Sequence, residues 1–420
     1  MRISTNEFLL GSVNDMLAQQ SNVNQLNRQI ATGQTMLDAT SDPAGAARAL
    51  GVATAIGHLN YDVANSQAAA LNLQNGVSAL QQLTTVLSQL QRVAIQASNG
   101  TVSNADRQSL VQVAQGAYQQ LLQLANTQSP NGNYLFAGSK ATTVPFSVPA
   151  NGQVAFNGDA GTNVVEIAPS ITVASTVSAN GIFVNLPGGS GGVAIAAAGS
   201  NTGTATAVSG GVTSISQLAA ERRSGTQFAI SFAAGSGGSL TYTVASGTGP
   251  PGSGGFAATS GVVASGTYAD SSDIVFGGID LRVSGTPAAG DSFTVQTGAS
   301  TDIFQTVQNL ISALQASGST PSNNALAQQQ LDTALTELQG AQTGALAAQA
   351  TIGAGLAQIQ ALQGQNQTVS TNDQVQLSNL QSANLPQVLA NYSESVTALQ
   401  AAQLAFAKVQ GLSLFALIRP

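Results

Sequence analysis

The sequence predicts an α+β fold, an elongated bundle of N- and C-terminal coiled-coil-like helices with an inserted antiparallel β domain. Three observations lead to this prediction. Apolar residues recur at alternating spacings of three and four near both ends of the chain, which is the helical period. The spacing changes to two in the middle of the chain, and 12 of the 19 aromatic residues lie there, between 134 and 300.

The composition indicates a structural protein. Of the 420 residues 43% are hydrophobic, enough for folded cores, but only 7% are charged, against roughly 25% in ordinary soluble domains. No basic patch is present, which argues against nucleic acid as a partner. With no Cys and a single His, His58, neither a disulfide framework nor a Cys/His metal site can form, so no cofactor is expected.

The sequence predicts neither a secretory signal nor a membrane-spanning helix. The N-terminus MRISTNEFLLGSVNDMLAQQ has one isolated Arg and an apolar patch broken by Gly-Ser, which does not match a secretory signal. No run of about 18 apolar residues occurs, so membrane insertion is not expected.

The N-terminal half is predicted to contain three helices. An opening stripe ends at Gly33. Asp42 is predicted as the N-cap of the second helix, with Pro43 at its first position. That helix continues to about Ala97 and would be roughly 80 Å long at 1.5 Å per residue, so it belongs to a rod. Asn99-Gly100 ends this helix. The helical period of apolar residues then resumes and ends before Pro130, so the two segments are predicted to form a helical hairpin.

Helical periodicity returns over 302–369 and again in the final segment. Between the helical regions, alternating residues such as those around Phe228 and Ile279 predict half-buried strands. Asn157-Gly158 predicts a hairpin turn, with a longer loop as the alternative. Residues 187–213 are of low complexity and are predicted to be loop-rich, with one edge strand.

Five segments follow from these patterns. Residues 1–42 and 376–420 are predicted as terminal helical assembly segments that are disordered in the free monomer. Residues 43–140 and 301–375 form a discontinuous helical rod domain. Residues 141–300 form the inserted antiparallel β domain, with the low-complexity loop near 187–213.

Four groups of residues were weighed as chemical sites, and each is better explained structurally. The glycine-rich runs GGSGGV, GSGGSL and GPPGSGG lack the Lys-Ser/Thr of a phosphate loop. His58 with Asp62 at i+4 fits a solvated helical histidine better than a catalytic triad. The spacing of Asp270, Asp273 and Asp280 fits no calcium loop. Arg222-Arg223 is interpreted as a surface pair, with a subunit contact as the alternative.

Four stretches together resemble the flagellin superfamily, and within it the hook-filament junction family. They are MRISTNEFLLGSVNDMLAQQ, QIATGQTMLDATSDPAGAARAL, NGNYLFAGSKATTVPF and ALQAAQLAFAKVQGLSLF. The Asp42-Pro43 pair and the NYLFAGSK segment followed by PF favour the junction family over flagellin itself.

The resemblance implies an extracellular, non-enzymatic protein of the bacterial flagellum, exported without a cleaved signal through the type III apparatus. It implies a position between the hook-side junction protein and the flagellin filament, with copies of the chain in one layer. It also implies that an export chaperone engages the C-terminal segment.

Assembly of this kind needs head-to-tail contacts, and the two terminal stripes are the predicted surfaces. The predicted subunit-contact residues are Val13, Met16, Val23, Leu26, Ile30, Leu399, Phe406, Val409, Leu412 and Leu414. Two other functions remain open from the sequence: a flagellin filament subunit, and a secreted surface adhesin that acts through the β domain.

Overall fold

The computed structural model describes residues 5–35, 42–100, 102–149, 152–248, 256–316 and 320–417. The chain forms two compact units, Met1–Ala64 with Ala361–Pro420, and Asn65–Gln360. Helices at both ends of the sequence and antiparallel strands between them confirm the predicted α+β class. The five-segment division of the chain stays a prediction.

Seven α-helices occur in the described residues. They are α1 (Thr5–Thr32), α2 (Pro43–Ala97), α3 (Asn104–Ala125), α4 (Ile215–Ser224), α5 (Ile303–Ala316), α6 (Pro321–Gln381) and α7 (Leu385–Leu417). The bounds of α2 agree with the predicted helix from Pro43 to about Ala97. The Gly45 N–H donates to Asp42 Oδ1 at 2.8 Å, so Asp42 occupies the N-cap position of α2.

The helical core of the second unit is built on leucines of α2. Leu80, Leu83, Leu87 and Leu90 are fully buried, and their spacings of three, four and three place them on one stripe of the helix. An uncharged contact links this helix to α6, where the Gln91 side-chain amide donates to Gln342 Oε1 at 2.9 Å.

Four buried phenylalanines close one part of this core. Phe146 lies at the centre, with its ring centroid 5.2 Å from Phe304 of α5 and 5.6 Å from Phe183. Phe136 packs edge-on against Phe183 at 5.1 Å. Rings at these separations bury large apolar areas and fix the orientation of the chain segments that carry them.

Fourteen strands are found in the described residues, all paired antiparallel. They are β1 (Phe146–Ser147), β2 (Ala155–Phe156), β3 (Val164–Ala168), β4 (Ile171–Ala174), β5 (Leu186–Pro187), β6 (Val193–Ala197), β7 (Thr206–Val212), β8 (Gln227–Ala234), β9 (Leu240–Thr248), β10 (Ala257–Thr267), β11 (Ser272–Phe276), β12 (Ile279–Ser284), β13 (Ser292–Thr297) and β14 (Ser300–Thr301). The larger sheets have the orders β10-β9-β8-β13-β6 and β11-β12-β7, and the remaining strands form pairs.

Alternating residues of these two sheets form one hydrophobic core. Phe228, Ile230 and Phe232 of β8 are buried in it, as are Leu281 and Val283 of β12. The period-two pattern therefore confirms the predicted strands, because side chains at i and i+2 lie on the same face of a sheet.

The hairpin predicted at Asn157-Gly158 is wrong. The flanking strands β2 and β3 do not pair with each other, since β2 pairs with β1 and β3 with β4. Instead, the Asn157 side-chain amide donates to Val144 O at 3.3 Å and to Ser147 Oγ at 3.0 Å. Asn157 therefore binds the segment that contains Val144 and Ser147 through its side chain. The Asn-Gly dipeptide alone does not indicate this contact.

The prediction of a single edge strand within 187–213 is also wrong. This stretch contains β6 and β7, which lie at the edges of two different sheets. Val193 and Ala207 are buried in the β core. In β6 the buried Val193 and Ile195 alternate with alanines, and in β7 Ala207 is buried while Val208 is exposed. The contrast between inward and outward residues is therefore too weak to be recognised from hydrophobicity.

Candidate assembly interface

The two terminal helices of the first unit pack against each other, and backbone hydrogen bonds join them at one end. The Thr35 N–H donates to Gln381 O at 2.6 Å, and the Ala383 N–H donates to Gly33 O at 3.0 Å. Gly33 has φ +68°, a left-handed conformation that glycine adopts without a steric cost after a helix. The chain leaving α1 therefore runs beside the chain entering α7.

Further contacts continue along the helical pair. The Gln19 side-chain amide donates to Ser395 O at 3.3 Å, and that of Asn22 donates to Ser395 Oγ at 3.4 Å. Leu26 on α1 and Val388 on α7 are buried, each with 8% of its surface exposed. Part of the predicted α1 stripe is thus covered within the chain itself.

The predicted contact residues differ in exposure. On α1, Val13 is exposed, Met16, Val23 and Ile30 are half-buried, and Leu26 is buried. On α7, Leu399 and Phe406 are half-buried. The side chains of Val409, Leu412 and Leu414 lie outside the described residues. Of the predicted contact residues whose side chains are described, Val13 is the one classed as exposed, at 36%.

Among the described side chains of this pair, four leucines outside the predicted set are the most exposed large apolar groups. Leu10 and Leu17 on α1 are 59% and 60% exposed, and Leu389 and Leu404 on α7 are 51% and 68% exposed. Leu10 and Leu17 are seven residues apart, so they lie on the same side of the helix. Exposed large apolar groups on paired helices are suited to docking against further helices.

A second sequence pattern on α1 indicates the exposed leucines. Leu10 and Leu17 repeat at a heptad spacing beside the stripe of Val13 and Met16. A helix with two apolar stripes can pack against two neighbours at once, one within the chain and one outside it.

The other candidate sites have structural explanations. His58 is exposed on α2. Asp273 pairs with Arg282 at 2.7 Å, and the hydrogen bond from that guanidinium lowers the pKa of the carboxyl. Asp270 Oδ1 accepts from the Gly285 N–H at 2.7 Å. In the described ranges no group of three or more His, Cys, Asp or Glu residues is arranged to hold a metal ion.

The glycine-rich runs and the arginine pair make hydrogen bonds within the β region. The Gly235 N–H donates to Ser239 O at 2.8 Å in the turn between β8 and β9. Arg222 on α4 donates through Nη2 to Gly191 O. Arg223 donates to Ala219 O of its own helix at 3.1 Å. The run GPPGSGG at 249–255 lies outside the described residues.

Terminal helices that pair with each other thus flank an inserted antiparallel β region in the sequence. Residues 3–141 match the family model of the bacterial flagellin N-terminal helical region. Over 147 residues, 35% of this chain, the sequence is 34% identical to flagellar hook-associated protein 3 of Escherichia coli strain K12. That alignment covers 46% of the relative, so the chain spans about half the length of the curated relatives it matches.

Solved structures extend the likeness over most of the chain. The crystal structure of flagellar hook-associated protein 3 from Legionella pneumophila is 30% identical with a TM-score of 0.69, covering 78% of this chain and 98% of that one. Xanthomonas campestris FlgL is 27% identical with a TM-score of 0.64, covering 76% and 99%. The chain belongs to the flagellar hook-associated protein 3 family of the flagellin superfamily.

One further property concerns the helices. In the described part of the chain, none of them combines the length and the hydropathy that a membrane span requires.

Proposed function

We propose that this chain is a non-enzymatic structural adaptor of the bacterial flagellum that joins the hook-side junction protein to the flagellin filament. Its family supports the proposal, because relatives are named flagellar hook-associated protein 3 and one solved relative is described as a flagellar junction protein. The observation that carries it is the set of exposed leucines on the α1–α7 pair. Exposed leucines on paired helices favour association, because a neighbouring subunit that covers them removes apolar surface from water.

In this proposal the terminal helices pack head-to-tail with copies of the chain in a single layer. Heterologous contacts leave a different surface at each end of the layer, so the hook-side junction protein binds one side and flagellin the other. The protein acts outside the cell after export without a cleaved signal, and before export a chaperone covers the C-terminal segment. Covering Leu404 would keep an exposed apolar surface from aggregating.

Purified protein added to isolated hooks, followed by electron microscopy, tests the proposal. A junction protein adds one zone of defined length at the hook tip and then stops. Long filaments would identify a flagellin, the closest alternative. No binding to hooks that carry the hook-side junction protein would contradict the adaptor function.

A further inference from the structure

The carboxyl group of Glu337 is buried in the second unit, where α6 meets α5 and the glycine-rich loop of residues 188–192. Only 7% of Glu337 is exposed. The Gly189 N–H donates to Oε1 at 3.2 Å, and Thr306 Oγ1 lies 2.7 Å from Oε2. No ion pair to this carboxyl occurs among the residues described, so a negative charge there would have no opposite charge beside it.

The loop that Glu337 contacts is one of two connections to the larger sheets. The Gly188 N–H donates to Ala299 O at 2.9 Å, and the Ala299 N–H donates to Gly192 O at 3.2 Å. Strand β6 begins directly after this loop, and β13 ends just before Gly298, so the two connections run side by side. A contact that fixes residues 188–192 therefore fixes the attachment of residues 193–297.

Thr306 offers a choice between two acceptors. Its single hydroxyl proton can reach Glu337 Oε2 at 2.7 Å or Asp302 O at 3.1 Å. When Glu337 is neutral, its own O–H donates to Thr306 Oγ1, and the Thr306 proton goes to Asp302 O. When Glu337 is ionised, the Thr306 proton must turn toward it, and a buried charge remains without a cation, which is costly.

The surroundings favour the neutral acid. Burial raises the pKa of the Glu337 carboxyl above its usual value, against the hydrogen bonds from Thr306 and Gly189, and the negative charge of Asp302 at the start of α5 adds to the increase. Arg222 of α4 is the cation that contacts the same loop, but its guanidinium bonds Gly191 O.

We propose that Glu337 is a pH-sensitive contact: in its neutral form it holds loop 188–192 against α5 and α6, and on ionisation it lets the loop open. An opened loop exposes the carboxyl, which then ionises at its ordinary pKa. Opening is thus least favourable below that ordinary value. It increases by up to about tenfold per pH unit between the ordinary and the raised pKa, and levels off above the raised one.

Hydrogen exchange of the full chain tests the proposal. Exchange of the amides of residues 188–193 is followed by mass spectrometry from about pH 4 to pH 8 and corrected for the intrinsic rates. In the wild-type chain we expect protection to fall as the pH rises. In E337Q we expect constant protection, because the side-chain amide donates to Thr306 Oγ1 while its oxygen still accepts from the Gly189 N–H.

Asp332→Asn is the matched control on the same helix. Asp332 also has a pKa raised by burial, but its carboxyl accepts from the Gln328 side-chain amide at 3.0 Å and, among the residues described, makes no hydrogen bond to loop 188–192. We expect D332N to keep the wild-type pH response. Protection that does not change with pH in the wild type, an unchanged pH response in E337Q, or a response lost equally in D332N would overturn the proposal. The wild-type titration remains decisive if E337Q does not fold.

Discussion

At the scale of single residues, Asp291 joins two loops of the β region. It is 2% exposed. Its Oδ1 accepts from the Thr202 N–H at 2.8 Å, while Oδ2 accepts from the N–H groups of Gly203 at 3.0 Å and Ala288 at 2.8 Å. Without the carboxylate, three backbone donors would lose their partner at once.

Asp291→Ala should lower the free energy of unfolding by about 2–3 kcal/mol, the cost typical of buried donors left without acceptors. Urea unfolding followed by tyrosine fluorescence and circular dichroism measures the change. Asp273→Asn is the control, since it removes an exposed carboxylate from an ion pair with Arg282 and should have little effect. Equal losses in the two variants would refute the role given to Asp291.

The role of Asp291 was not predicted from the sequence, whereas Asp42 and Pro43 were predicted as a helix start. The difference is sequence separation. The Gly45 N–H that Asp42 accepts is three residues away, but Asp291 bonds to Gly203 across 88 residues. Partners that only the fold brings together leave no local pattern.

At the scale of secondary-structure elements, the start of α2 depends on the absence of a side chain at Gly45. A Cβ added there would overlap Asp42 Oδ2. Glycine normally weakens a helix relative to alanine, but here it leaves room for the carboxylate that accepts its N–H. The cap and the glycine should therefore be energetically coupled.

A double-mutant cycle of Asp42→Ala and Gly45→Ala measures this coupling. D42A alone should destabilise the first turn by about 1 kcal/mol through loss of the cap. In the D42A background, G45A should then stabilise it by up to about 1 kcal/mol through helix propensity. With Asp42 present, that gain should be offset by displacement of the carboxylate. Hydrogen exchange at the start of α2 is the measurement, and additive effects would contradict the coupling.

An element could be predicted from the sequence when its buried and exposed positions differ strongly in hydrophobicity. The long α2 helix was predicted from Pro43 to about Ala97 because apolar residues recur there at spacings of three and four over many turns. Strands β6 and β7 were not predicted as a pair of edge strands, since their outward positions carry apolar residues as well, alanine in β6 and valine in β7, and so do not contrast with the inward ones.

At the scale of the whole molecule, some apolar residues of the α1–α7 pair pack inside the pair, and others lie on its surface, where we propose that they contact neighbouring subunits. Leu26 is buried within the pair, whereas Leu17, nine positions earlier on the same helix, is exposed. Substituting each by Asp should therefore produce two different defects.

Leu17→Asp should abolish addition to isolated hooks while leaving helical content unchanged, because the charge lies on the outer surface. Gln20→Asp adds the same charge at an exposed polar position of α1 and should retain hook binding. Leu26→Asp should reduce helical content as well as binding. Circular dichroism and hook-binding assays separate the cases. If L26D leaves the helical content of the free chain unchanged, the predicted disorder of the terminal segments is supported instead.

The accessible surface of the terminal helices was beyond sequence analysis for a physical reason. Periodicity shows which residues share a face of a helix, but not which neighbour covers that face. Gln19 and Ser395 are 376 positions apart, and their contact decides that part of the predicted stripe is internal.

The Gln91–Gln342 hydrogen bond has a consequence for helix register. A polar pair beside an apolar seam makes one alignment of two long helices better than a displaced one, because sliding α6 along α2 would separate the two amides. Neither amide titrates or carries a charge. Changes of ionic strength or pH should therefore not weaken the preference for this alignment of α2 and α6. The alignment of α2 and α6 is in this respect independent of the pH-sensitive contact proposed for Glu337 on the same α6 helix.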